Sequence, residues 1–268
     1  MAVLIGCIVY NAFSFGGLFL VITVLSVAEF CRIVNAKEDV QVNTLITSMA
    51  GGYLFAAFYC YSIGLCDAAI FLPYIVSLIY LLVVELYLKH PNPINNWAYT
   101  MMSQMYVALP FSLLNILAFN TDPAHPLVVL YRSIFPLSVF LFLWASDSGA
   151  YCVGSLLHKR FPAKLFPRIS PKKSWVGSIG GAVIAMAAAA LIWNWDKSLT
   201  LPQWMGLSLV VTVFGTWGDL VESLIKRTLG IKDSGNILPG HGGMLDRFDS
   251  SLLAIPASVI YLYTLQMV

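Results

Sequence analysis

The side chains of this sequence that could do chemistry gather in one stretch, from Gly218 to Asp249. Asp219, Glu222 and Lys226 follow i, i+3, i+7 spacing, so on a helix they share a face, with Ser223 beside them. Beyond lies a loop containing Gly230, Gly235, Gly240, Gly242 and Gly243. Such glycines permit positive φ and bring backbone N–H groups close to an anion, so the loop can cradle phosphates. His241 stands between two of them, as a phosphate contact, a proton shuttle or a plain surface histidine. Lys226, Arg227 and Lys232 read most simply as a solvated face or as contacts with anionic lipid head groups.

The stretch closes on Asp246-Arg247-Phe248-Asp249, whose two acids sit at i, i+3. Hard carboxylate oxygens suit Mg²⁺, which takes one or two protein carboxylates and completes its shell with water and substrate phosphates. Asp219 and Asp246 are the favoured pair. An aspartate opening a helix can instead be a cap or a dipole partner, which is the competing reading of Asp249. Asp219 abuts an apolar run, where a buried acid costs about 2.5 to 3.5 kcal/mol at a helix centre, and such residues tend to be functional.

A second constellation runs Trp144-Ala145-Ser146-Asp147-Ser148-Gly149-Ala150-Tyr151 and then Ile169-Ser170-Pro171-Lys172-Lys173-Ser174. Asp147 is another acid beside apolar sequence. Lys172 and Lys173 stand just before a helix whose first turn can bind an anion, an arrangement suited to a nucleoside triphosphate, or else to a basic membrane-flanking anchor. Gly177, Gly180, Gly181 and the alanines from Ala182 to Ala190 read as helix-packing contacts.

The elements that must position these residues are membrane helices. The 268 residues are 59% hydrophobic and 10% charged, with a mean hydropathy of +0.80, against about 25% charged in soluble domains. A net charge of +2 gives no nucleic-acid footprint. Long apolar runs read as spans, because lipid offers no partner to an unpaired backbone. About eight are predicted, over roughly residues 2–29, 44–64, 68–88, 97–119, 127–156, 175–195, 203–219 and 250–267. The first opens directly in apolar sequence, without the basic lead of a cleavable signal, and reads as a retained span. Six Lys and Arg lie between His158 and Lys173, and four between Asp219 and Arg247. The positive-inside bias puts both clusters in the cytoplasm, on one face with Asp147. The expectation is a single polytopic all-α membrane domain with its active site at the cytoplasmic helix ends, residues 1–125 supplying N-terminal spans and 126–268 the site. The five cysteines form no CxxC pair and read as small buried hydrophobes.

At this point the residues resemble a known family, the CDP-diglyceride synthases or phosphatidate cytidylyltransferases. The signature Ser-x2-Lys-Arg-x4-Lys-Asp-x-Gly-x2-Leu-Pro-Gly-His-Gly-Gly-x2-Asp-Arg-x-Asp is matched throughout from Ser223 to Asp249. The Asp147–Tyr151 and Ser170–Lys173 segments are similar as well, so the resemblance covers the second half well and the first half in hydropathy alone. It implies a multi-pass enzyme, of a bacterial inner membrane, that condenses CTP with phosphatidic acid in the presence of Mg²⁺ to give CDP-diacylglycerol and pyrophosphate. It implies Asp219 and Asp246 as metal-site acids, supported by Asp147 and Asp249, and Lys226, Lys232 and His241 as catalytic groups. Lys172, Lys173, Ser174, Ser223, Arg227, Gly240, Gly242 and Gly243 are implied for nucleotide binding. Membrane lipid surrounds the site, and a second copy of the chain is left open as a partner.

Two departures stand out. Val176 occupies a position where the family often carries Glu or Gln, and family members commonly begin with a basic lead, which leaves the orientation of the first span open. The alternatives are another CTP-dependent lipid enzyme, such as an ether-lipid cytidylyltransferase or a polyprenol kinase, and a transporter. A transporter would place its polar residues near the bilayer midplane rather than gather them on one face.

Overall fold

A computed structural model of the chain describes residues 1–122, 125–157, 159–235 and 242–267. His158, Gly240 and His241 lie outside the described residues. The chain forms two compact units, residues 1–133 with 229–248, and residues 134–228 with 249–267. The Ser223–Asp249 signature is itself shared, with Leu229–Phe248 in the first unit and its two ends in the second.

In the first unit the opening apolar run is two helices, α1 (Ala2–Tyr10) and α2 (Ala12–Val34). The break is at Asn11. Its side chain accepts from the Ser14 N–H at 2.8 Å, while the Ser14 hydroxyl accepts from the Asn11 N–H at 3.3 Å, a reciprocal cap that starts a new helix. Asn43 caps α3 (Thr44–Ser62) by a single bond, its side chain accepting from the Ile46 N–H at 3.0 Å. A 3-10 turn (Ala68–Phe71) leads into α4 (Leu72–Leu88), which Lys89 ends in the left-handed region at φ 52°. The next loop is fastened by the buried Glu85 carboxylate, which meets His90 Nδ1 at 3.0 Å and Asn96 Nδ2 at 3.1 Å. Then α5 (Pro93–Met102) passes through a π-helical turn (Ser103–Ala108) into α6 (Leu109–Ala118). Pro110 has no N–H to give the preceding turn and its ring crowds the carbonyl four residues back, so the helix widens there.

Residues from 127, expected to open a span, belong instead to a hairpin of β1 (Phe119–Asp122) and β2 (His125–Tyr131). The Tyr131 hydroxyl donates to the Ile8 carbonyl at 2.6 Å, tying β2 to α1.

The second unit begins with α7 (Ile134–Leu157), a second hairpin of β3 (Lys164–Phe166) and β4 (Ser170–Ser174), and then α8 (Trp175–Trp195) and α9 (Leu201–Thr228). The chain next contributes Leu229–Phe248 to the first unit, including the short α10 (Leu245–Phe248), before α11 (Ser251–Thr264) completes the second. Small residues let α7 and α8 approach closely. A Cβ on Gly181 would lie 2.5 Å from the Ser146 carbonyl, and one on Gly154 would lie 3.5 Å from the Gly177 Cα. In lipid, where no hydrophobic drive separates helix from acyl chain, such contact is what holds helices together.

Among the described residues, six helical stretches are long and apolar enough to cross a membrane: Ala12–Val34, Ala68–Leu88, Pro93–Ala118, Ile134–Leu157, Trp175–Trp195 and Leu201–Thr228. The two further expected spans fall on α3, rich in hydroxyl and glycine residues, and on α11, which has 14 residues. The all-α expectation holds for the spans and is amended by the two hairpins between them.

The α7–α8 crossing makes a testable demand. Gly181→Val is expected to cost about 1–3 kcal/mol through overpacking, read as a lower melting temperature in detergent. Gly6→Ala, at a position with nothing within 4 Å of a new Cβ, leaves it unchanged.

Candidate functional site

The second unit brings most of the expected polar residues together. The helix α9 continues past the apolar run to Thr228, which sets Asp219, Glu222, Ser223 and Lys226 on successive turns. The Ser223 hydroxyl donates to Asp219 Oδ1 at 3.2 Å, and Lys226 pairs with the fully buried Glu222 at 2.5 Å. Lys173, at the end of β4, forms an ion pair with the other Asp219 oxygen. Asp147 of α7 lies within electrostatic reach of both Lys173 and Asp219. Lys172 and Asp147 line a cleft of about 490 Å³ with Lys173, Ser174, Tyr151 and Thr216. That volume suits a nucleotide-sized ligand.

Three local features build this cleft. The Ser174 hydroxyl accepts from the Gly177 N–H at 3.2 Å and so caps α8, which sets the helix N-terminus, with its partial positive charge, at the cleft wall. The β3–β4 hairpin carries Lys164, Lys172 and Lys173 to the same place. Gly218 lets α9 approach the entry to α11, because a Cβ there would lie 2.7 Å from the Asp249 carbonyl and 2.9 Å from that of Ser250. Asp249 is thereby held near Asp219. Its own oxygen accepts from the Ser250 N–H at 2.6 Å. Burial, and next the Asp219 charge, push the Asp249 carboxyl up to about 7, against which Ser250 and the Lys226 charge act.

In the first unit a different cluster surrounds Asp246. Its Oδ2 accepts from the Ser234 N–H at 2.9 Å and the Gly243 N–H at 3.1 Å. Behind them stands Glu29 of α2, only 2% exposed. Its carboxylate accepts from the Ser234 hydroxyl, from the Met244 N–H at 2.8 Å and from the Leu245 N–H at 3.2 Å. Gly242, at φ +79°, makes the turn that presents these amides.

Residues 1–265 match the sequence model of the cytidylyltransferase family. The chain belongs to the cytidylyltransferase family. Similar proteins include the phosphatidate cytidylyltransferase of Haemophilus influenzae, 30% identical over 98% of this chain and 95% of that one. The Bacillus subtilis phosphatidate cytidylyltransferase is 52% identical over 42% of each chain, and that of Staphylococcus haemolyticus 39% identical over 59% of this chain and 56% of its own. With its six apolar helices, this cytidylyltransferase-family member is a multi-pass membrane protein.

Within this cytidylyltransferase-family chain, several expected ligand residues have partners of their own. Lys226 is engaged by Glu222, Lys173 by Asp219, and Ser174 is a helix cap. Lys172, Arg227 and Lys232 are exposed, and Lys172 faces the cleft. Gly242 and Gly243 serve the turn beside Asp246, where a Cβ on Gly243 would collide with Glu29 and Ser234. Glu29 was not singled out in the sequence, although an acid inside an apolar run is the signal that marks it.

Among the described residues no three His, Cys, Asp or Glu side chains lie close enough to enclose an ion by themselves. The donor chemistry nevertheless fits magnesium. Asp219, with Asp147 and Asp249 in electrostatic reach of it, offers hard oxygens in the open arrangement that this ion completes with water and phosphate.

The raised Asp249 carboxyl gives a signed expectation. A carboxyl that titrates at about 7 when folded and 3.8 ordinarily contributes stability that is present below about 3.8 and lost as pH rises through about 7. Without added metal, the melting temperature of the wild type in detergent should therefore fall from pH 5 to pH 8 relative to Asp249→Asn. Parallel curves for the two proteins would contradict the burial argument.

Proposed function

We infer that this chain is a phosphatidate cytidylyltransferase, joining CTP and phosphatidic acid into CDP-diacylglycerol and pyrophosphate. The observation that carries the reading is the cleft of about 490 Å³, walled by Lys172, Asp147 and the capped start of α8, in a membrane member of the cytidylyltransferase family. Lysines and a helix N-terminus facing a cleft beside acids are what a metal-assisted triphosphate site requires.

In the reaction a phosphate oxygen of phosphatidic acid attacks the α-phosphorus of CTP, and the bond to the bridging oxygen breaks. Pyrophosphate leaves with the electron pair. No covalent enzyme intermediate is needed. Lys172 binds the triphosphate at the mouth of the cleft, and the α8 N-terminus favours the charge of the leaving phosphates. Lys173 is held by Asp219 until an anion competes for it, so it can pass from carboxylate to phosphate without crossing open solvent. Magnesium would supply further neutralisation of the developing charge, with Asp219 and Asp246 as the acids that would hold it and Asp147 and Asp249 in support. Apolar helices keep the acyl chains of the lipid in the bilayer while its head group reacts at the surface. The reading includes eight spans, α3 and α11 with the six long helices, and a cleft on the cytoplasmic side of a bacterial inner membrane, which the basic loops support.

The experiment is direct. Protein purified in detergent and given CTP, phosphatidic acid and Mg²⁺ should release CDP-diacylglycerol and pyrophosphate, followed by mass spectrometry. Asp246→Asn is expected to retain about a hundredth of the rate or less, and Lys173→Ala to lose about tenfold or more with a raised KM for CTP. Absence of any liponucleotide, or turnover only with an ether-lipid phosphate or a polyprenol, overturns the assignment. An Asp246→Asn variant close to wild type overturns the role of that acid.

A further inference from the structure

Glu29 has no part in the reaction as derived above, and it stands far in sequence from every residue of the signature. It lies in the last third of α2, on the membrane-length helix Ala12–Val34, and is 2% exposed. A carboxylate so placed has no water to turn to and must be satisfied by the chain itself. It is satisfied by three donors, and all three belong to the segment that carries Asp246: the Ser234 hydroxyl, the Met244 N–H at 2.8 Å and the Leu245 N–H at 3.2 Å.

The same segment holds Asp246 by its Oδ2, through the Ser234 N–H at 2.9 Å and the Gly243 N–H at 3.1 Å. Ser234 thus joins the two acids, its hydroxyl on Glu29 and its amide on Asp246. The packing is too close for any side chain at the turn, since a Cβ on Gly243 would run into the Glu29 carboxylate and the Ser234 hydroxyl, and one on Gly235 would stand 3.2 Å from Glu29. On the other side, α10 presses Phe248 onto Phe111, ring centres 5.5 Å apart, so the segment is gripped from an apolar and a polar side at once.

We propose that Glu29 is a positioning residue for the cytidylyl transfer, fixing the orientation of the Asp246 carboxylate by clamping Ser234 and the Gly243–Leu245 turn against α2. The proposal rests on the reading of the chain as a phosphatidate cytidylyltransferase. Glu29 touches no substrate; it acts through Asp246. Glutamine is a poor replacement, because among the described residues each carboxylate oxygen accepts from a backbone N–H, so the amide NH₂ would meet an N–H at whichever position it took. The clamp would open and Asp246 would lose its fixed direction, at a cost typical of removing an outer partner of a functional acid, about 10- to 100-fold.

The test pairs activity with a reading that a merely structural tie would move differently. In detergent, Glu29→Gln is expected to keep a melting temperature within a few degrees of wild type and to bind CTP, by calorimetry, with unchanged stoichiometry. Its kcat should fall about 10- to 100-fold while KM for CTP changes less than about threefold. Ser234→Ala, which removes one donor to Glu29 and leaves the amide on Asp246, should lose about fivefold or more, and combining it with Glu29→Gln should add little, since both open one clamp. If Glu29→Gln does not fold, Ser234→Ala decides on the same criteria. A folded variant within twofold of the wild-type kcat overturns the proposal. So does a rate that falls only in proportion to lost CTP sites, which would mark Glu29 as a folding determinant. A wild type that makes no liponucleotide overturns the functional reading instead, before any variant is compared.

Discussion

An acid inside an apolar helix must find its hydrogen-bond donors and counter-charges in the protein, because the lipid around it supplies none. That requirement organises both units. Glu222, fully buried on α9, takes the Lys226 ammonium one turn along. Asp219 takes Lys173 from the end of a hairpin and the Ser223 hydroxyl from its own helix. Glu29 takes a hydroxyl and two backbone amides from a loop. In each case satisfying the acid also fixes a neighbour, so the groups suited to handling phosphate are held in place by the same bonds that make their burial tolerable.

Close helix contact is the second determinant, and it follows from the small residues. The approach of α7 to α8, permitted by Gly149, Gly154, Gly177 and Gly181, brings Asp147 and the start of α8 to one cleft. Gly218 does the same between α9 and the entry to α11, bringing near Asp219 a second carboxyl that burial first, and the Asp219 charge next, keep protonated toward neutral pH. Any larger side chain at these positions would widen the crossings and move the acids apart.

Much of this could be read from the residues in order. The shared face of Asp219, Glu222 and Lys226 follows from helical spacing, and α9 extends far enough to carry all three. The pairing of Lys173 with a particular acid did not follow, because the hairpin that delivers it has only three and five residues per strand and little alternation to reveal it. The break at Asn11 was hidden by the apolar residues on either side, which hydropathy averages into one run. The π-turn before Pro110 was hidden for the same reason. The hairpin at residues 119–131 looked like the start of a span because its valines and leucines serve a strand as well as a helix. Glu29 was the largest omission. Its role is defined by a partner 205 residues away, and no local pattern carries information over that distance.

That separation has a consequence in time. A chain made from its N-terminus delivers α2 to the membrane long before Ser234 and Met244 exist. At about 5–20 residues per second, the interval is on the order of ten to forty seconds. Throughout it the nascent protein carries Glu29 without the three donors that later surround it. The early helices must then keep that carboxylate at the lipid–water boundary, or give it a temporary companion, until residues 234–245 are translated. The bond that orders the mature loop is therefore also a checkpoint of biogenesis, reached only after the intervening helices have been made.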